Sequence, residues 1–94
     1  MRKAYLLAYS NTLGTREEVK KCVDSIREII DWRYDLPHTF YLISEASAST
    51  LSDLITNRMG KKGIFIIVEL ESNYSGWLPK ESWHLLQKKV RLPE

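Results

Sequence analysis

Between Thr15 and Ile30 the apolar residues Val19, Cys22, Val23, Ile26, Ile29 and Ile30 recur at intervals of three and four, while the segments on either side are short, β-branched and aromatic. A helical stripe and a strand alternation each leave one apolar face that needs a cover, so a chain that switches between them must pack helices on a sheet. Thr15 followed by Glu18 forms a capping-box pattern, and it starts the helix directly after the turn residues Asn11-Thr12-Leu13-Gly14. Lys20, Lys21, Asp24, Arg27 and Glu28 then fall on the wet face. Cys22 sits on the apolar face and reads as a small core residue, since a reactive thiolate needs an exposed, electropositive setting.

The remaining elements follow from the same rules. Lys3 to Ser10 is a strand. Asp31 to Leu36 alternates large apolar with charged residues, Pro37 and His38 punctuate, and Thr39 to Ile43 completes a hairpin. Ser47 or Ser49 caps a second helix with the stripe Leu51, Leu54, Ile55 and Met59, and Gly60 is a left-handed C-cap candidate. Lys61-Lys62-Gly63 leads into the strand Ile64 to Leu70, whose almost unbroken apolar character predicts burial on both faces or a place in a subunit interface. After a loop over 72–76, Pro79 opens a short helix in which Trp83, Leu86 and Val90, with Leu85 nearby, face inward and Lys88 and Lys89 meet the negative end of the dipole. The order is β-α-β-β-α-β plus a C-terminal helix. It predicts an α+β, ferredoxin-like sandwich, one domain over 1–94 with its core at 3–71 and an aromatic helical segment at 76–90 that covers apolar surface.

With 94 residues, of which 44% are hydrophobic and 28% charged, the chain has enough apolar material for one core and not for two. A net charge of +2 is too small to argue for association driven by phosphate electrostatics. Arg2, Lys3, Lys61, Lys62, Lys88, Lys89 and Arg91 make a basic patch only if the termini and the 61–62 turn meet in space. The single cysteine excludes an internal disulfide and a thiolate metal cluster, in keeping with a reducing compartment. The apolar segment after Met1-Arg2-Lys3 is too short and too tyrosine-rich for a secretory signal, and no apolar run has membrane-helix length, so the expected location is the cytoplasm, without a membrane partner.

Catalytic chemistry finds little support. Asp31 and Asp35 share a strand face but lie about 13 Å apart at strand rise, too far for one ion. Glu69 and Glu71 read as a solvated strand end, and His38 and His84 have no carboxylate at ligand spacing. No catalytic residue, metal or cofactor is assigned. The stronger signal is aromatic: Trp32, Tyr34, Tyr41, Tyr74 and Trp77 include side chains able to stack on bases, although a sheet with helices on one side also needs its second face covered by a partner or by the C-terminal helix.

The strand Lys3-Ala4-Tyr5-Leu6-Leu7-Ala8-Tyr9-Ser10, the hairpin Trp32-Arg33-Tyr34 through Thr39-Phe40-Tyr41-Leu42-Ile43, the helix opening Ser47-Ala48-Ser49 and the strand Ile64-Phe65-Ile66-Ile67-Val68 together resemble the small SinR-like proteins. These are similar in turn to the smaller subunit of the CRISPR spacer-integration complex and to virulence-associated protein D. The resemblance spans residues 3 to about 71. It implies a sheet of order 4-1-3-2 with both helices on one face, and a homodimer built from sheet edges. The family's metal-binding aspartate falls at Ser10, and Asn11 cannot replace it as a charged ligand. The segment Gly76-Trp77-Leu78-Pro79-Lys80-Glu81-Ser82-Trp83 looks like one found in uncharacterised relatives. The expectation is a non-catalytic homodimer that binds nucleic acid or a nucleotide through Tyr9, Ser10, Asn11, Trp32, Tyr34 and Tyr41 and dimerises through Ile64, Ile66, Val68 and Trp77. The alternatives are a metal-dependent nuclease with displaced carboxylates and a small phage-borne or accessory protein that binds and modulates another protein.

Overall fold

The computed structural model describes residues 1–60 and 63–93. The elements are β1 (Lys3–Tyr9), α1 (Arg16–Ser25), β2 (Ile29–Arg33), β3 (Thr39–Ser44), α2 (Ala48–Met59), β4 (Phe65–Leu70) and α3 (Lys80–Lys88). They form an α+β domain whose four strands make one antiparallel sheet in the order β2-β3-β1-β4, with β1 and β3 inside and β2 and β4 at the edges.

Strand alternation divides the sheet into two faces. Tyr5, Leu7 and Tyr9 of β1 and Phe40 and Leu42 of β3 point toward α1 and α2, where Val19, Cys22, Val23, Leu51 and Ile55 close the main core. Ala4, Tyr41 and Ile43 point the other way and meet Leu85 and Leu86 of α3, with Leu6, Leu70, Tyr74 and Leu78 around them. The C-terminal helix therefore covers the second face through Leu85 and Leu86, while Val90, expected to face inward with them, lies past the helix end and is exposed. Local signals agree with three of the helix ends. Thr15 and Glu18 make the reciprocal capping box, Ser47 caps α2 through the Thr50 N–H, and Gly60 ends α2 at φ 97°, a left-handed angle with extended ψ. Gly63 has no room for a side chain, since a Cβ there would lie 2.5 Å from Leu13 Cδ1 and 2.8 Å from Leu13 Cα.

Three expectations are corrected. The first helix does not run on to Ile30 but ends at Ser25, and Ile29 and Ile30 open β2, so this strand begins before Asp31 and stops before Leu36. Ile26 and Ile29 keep the helical interval because both still reach the core, yet Ile26 is already extended and Ile29 pairs with Ser44 of β3. Arg58 closes the last turn of α1 by donating to the Ser25 carbonyl at 3.0 Å and to its hydroxyl at 2.5 Å. Second, of the two alternatives for β4, burial on both faces does not hold. Phe65 and Ile67 pack on the main core, but Ile66 and Val68 are 61% and 45% exposed, because α3 settles over β1 and β3 and leaves the edge strand open. Third, Trp77 is not part of the cover: it is 88% exposed, and Leu78, Trp83, Leu85 and Leu86 supply the burial.

Candidate functional site

The aromatic pair of the β2 hairpin arm is where cations and rings meet. Trp32 and Tyr34 stand two residues apart, so they share a face, and their rings are parallel within 3° at a centroid distance of 6.3 Å. Phe40 of β3 supports both edge-on, at 5.7 Å from Trp32 and 5.2 Å from Tyr34. On α1, Arg16 lies over the Tyr34 ring at 4.6 Å and Lys20 over the Trp32 ring at 5.9 Å. The match is geometric: four helical residues advance about 6 Å and two extended residues about 6.6 Å, so consecutive cations on one face of α1 meet Trp32 on β2 and Tyr34 just past its end. The Trp32 indole N–H donates to Asp24 at 3.2 Å, which fixes the ring.

Beside this pair opens a cleft of about 700 Å³ between β2 and the C-terminal segment. One wall is Lys20, Trp32, Arg33 and Tyr34; the other is Glu81, Leu85, Arg91, Leu92 and Pro93. Its lining thus carries three cations against one carboxylate. Two of the cations are anchored from behind. Arg33 donates through Nε to the buried Ser82 hydroxyl at 2.6 Å, and that hydroxyl donates a short hydrogen bond to Asp35. Arg91 grips Asp31 with Nε at 3.1 Å and Nη2 at 2.5 Å and also reaches the Trp32 carbonyl. Arg2 donates to the Lys89 carbonyl at 3.0 Å, so the basic residues of the two termini do meet, next to this cleft. Lys61 and Lys62 of the expected patch lie outside the described residues.

Partial burial pushes the Asp31 carboxyl up, but the Arg91 and Trp32 hydrogen bonds and the charges of Arg91 and Arg2 outweigh it and hold the pKa below its ordinary value. The folded state therefore gains from Asp31 above the unfolded pKa of about 3.9, and the gain is lost as pH falls through the lower folded value. We expect the 91–93 segment to stay docked from pH 7 to about pH 5 and to release only below about pH 4, with Asp31→Asn releasing it at pH 7. Hydrogen exchange of the C-terminal amides measures this; release at pH 6 in the unmodified protein contradicts it.

The other expected ligand residues are spread out. Tyr9 is buried against His38 and Phe40, at 5.5 and 6.0 Å. Burial raises its pKa, and Arg16 beside it opposes the rise. Ser10 is half-exposed and holds the turn together: its hydroxyl contacts Thr12 Oγ1 at 2.5 Å, and Thr12 Oγ1 in turn accepts the Ile64 N–H at 3.0 Å. Asn11 is exposed beside it. Tyr41 lies on the opposite face beneath α3, 2% exposed, where burial first and the neighbouring Asp35 carboxylate second push its pKa up to about 12. Of the six, Trp32 and Tyr34 are brought together at the cleft. Lys20, Arg33 and Arg91 complete it, with Arg16 over the Tyr34 ring; of these only Arg91 belonged to the expected basic patch, and the spacings within α1 and β2, taken separately, do not show that the two elements meet. Ile64, Ile66, Val68 and Trp77 are all exposed. Glu69 and Glu71 are exposed too, and among the described residues no group of three His, Cys, Asp or Glu side chains is placed to hold a metal ion. No helix among them is long and apolar enough to cross a membrane.

No family model matches this chain, and neither does any curated protein or solved structure.

Proposed function

We propose that the chain is a ferredoxin-like, non-catalytic homodimer of the SinR-like group that works in the cytoplasm and binds a nucleotide or single-stranded nucleic acid at the β2 edge. The observation that carries the ligand reading is the parallel Trp32–Tyr34 pair, flanked by Arg16 and Lys20 and opening onto a cleft lined by Lys20, Arg33 and Arg91, the last two paired with Asp35 and Asp31. Rings stack on any base, and cations at their margin meet the phosphate. For the fold, the support is the strand sequence read from the β4 edge, 4-1-3-2, with α1 and α2 packed on one face; α3 is the addition. The buried, unpaired Cys22 suits a reducing compartment.

Anisotropy of a labelled octanucleotide, RNA and DNA, tests the ligand. Trp32→Ala should weaken binding by roughly 5-fold to 150-fold, since stacking on an aromatic contributes about 1–3 kcal/mol per base. Lys20→Glu should also weaken it, and Trp77→Ala, away from the cleft, should not. With about two phosphate contacts, the slope of log affinity against log salt should be near −1.4. Failure to bind at about 100 μM, or binding indifferent to Trp32→Ala, removes the proposal; cleavage of the oligonucleotide with magnesium or manganese, lost in Glu69→Gln or Glu71→Gln, puts the nuclease in its place. A protein partner is the second reading, favoured by Trp77, exposed beside the apolar slot formed by Leu6, Leu36, Leu70 and Leu78. Its mark would be a partner retained by the unmodified chain and lost by Trp77→Ala.

A further inference from the structure

The two edges of the sheet are finished differently. At β2 the edge carries Asp31 and Arg33, and Arg91 lies across it, bonded to the Asp31 carboxylate and the Trp32 carbonyl. Charge of this kind protects an edge against pairing. From Ile64 to Val68, in contrast, no charged or polar side chain interrupts β4, which pairs with β1 alone.

The hydrogen-bond parity of β4 can be read from its start. Ser10 N–H donates to the Ile64 carbonyl at 2.9 Å, and these two residues continue the register Tyr9↔Phe65, Ala8↔Ile66. Bonded and non-bonded pairs alternate along an antiparallel ladder, so Ile66 and Val68 also turn their backbone groups toward β1. Phe65, Ile67 and Glu69 therefore turn theirs outward. A second β4 can use them only in registers that bond odd residues with odd ones.

We propose that two copies of the chain join through antiparallel β4–β4 pairing about a two-fold axis at Ile66. This specifies the homodimer read above and rests on it. In this register Phe65 bonds with Ile67 of the partner subunit and Ile67 with Phe65 of the partner subunit, which gives about four backbone hydrogen bonds. On the exposed face Ile66 meets its own copy and Ile64 meets Val68 of the partner subunit, so every exposed apolar residue of the edge faces another. Of the two neighbouring allowed registers, the one centred on Ile67 places Phe65 opposite a glutamate and the one centred on Phe65 places Ile67 opposite a glycine, and side-chain matching selects against both. The product is a continuous eight-stranded sheet with both α3 helices on one side. The two β2-edge clefts then sit at its far ends, seven strand spacings or roughly 34 Å apart.

The axis makes a sharp test, because residues that face their own copies at a non-bonded position have Cα atoms about 4.5 Å apart, within disulfide reach. Ile66→Cys should form an intermolecular disulfide on mild oxidation, while the unmodified chain, whose Cys22 is buried, and Val68→Cys should not. Light scattering should show a dimer at 10 μM, and Ile66→Lys a folded monomer with octanucleotide affinity per chain unchanged. A strict monomer at about 100 μM overturns both the register and the homodimer. A dimer in which Val68→Cys cross-links and Ile66→Cys does not overturns the register and leaves the homodimer standing.

Discussion

Leu86→Ala is expected to lower the unfolding midpoint by about 10 °C or more. Leu86 is fully buried against Ala4, Tyr41, Ile43 and Leu85, and a buried Leu→Ala substitution costs about 2–5 kcal/mol, each kcal/mol being worth about 4–8 °C in a domain of this size. Removing residues 74–94 should be more damaging, since it bares Ala4, Tyr41 and Ile43 and takes Ser82 from between Arg33 and Asp35. That truncation is expected to aggregate. Trp83→Ala falls between, because the ring is half-buried and stacks on Tyr74 at 6.2 Å, and Lys88→Ala and Trp77→Ala should change stability by less than about 0.5 kcal/mol. Thermal melts of the set decide the matter: if Leu86→Ala melts with the unmodified protein, α3 is not a structural part of the domain.

Phe40→Ala should have the largest effect of any single substitution near the cleft. The ring is fully buried at the centre of the sheet and touches Tyr9, Trp32 and Tyr34, so its loss removes a core side chain and the support of the aromatic pair together, at about 3–5 kcal/mol. Phe40→Leu keeps most of the volume but offers no ring edge. It should retain the fold while shifting Trp32 fluorescence and weakening octanucleotide binding. Urea unfolding of both variants measures the first effect, and a loss below about 1 kcal/mol for Phe40→Ala would mean that the core closes without it.

The two outcomes differ in how far they could have been foreseen. The stripe Trp83, Leu85 and Leu86 marks α3 as an amphipathic cover from its spacing alone, because a helix that short must bury its apolar side to persist. Which face it covers is not a local property. The four-strand sheet offers one face to α1 and α2 and another to nothing nearby in sequence, and the tail reaches the latter only after a crossing that ends with Arg91 on Asp31. Likewise the aromatic character of Trp32 and Tyr34 was legible, but the cations beside them come from another element, and no pattern within either segment records that α1 lies against β2.

Local chemistry sufficed wherever one turn or one face decides the energy: the capping box at Thr15 and Glu18, the Ser47 cap, the glycine after α2, and the burial of Val19, Cys22, Leu51 and Ile55. It failed at residues 26–30, where Ile26, Ile29 and Ile30 keep the helical interval but pairing of Ile29 with Ser44 of β3 makes the last two a strand. It failed again at Trp77, and on β4 it did not choose between burial on both faces and a place in an interface. An apolar sequence states that a side chain gains from leaving water; whether it does so depends on what arrives from elsewhere in the chain, and α3 arrives over β1 and β3, leaving Ile66, Val68 and Trp77 uncovered.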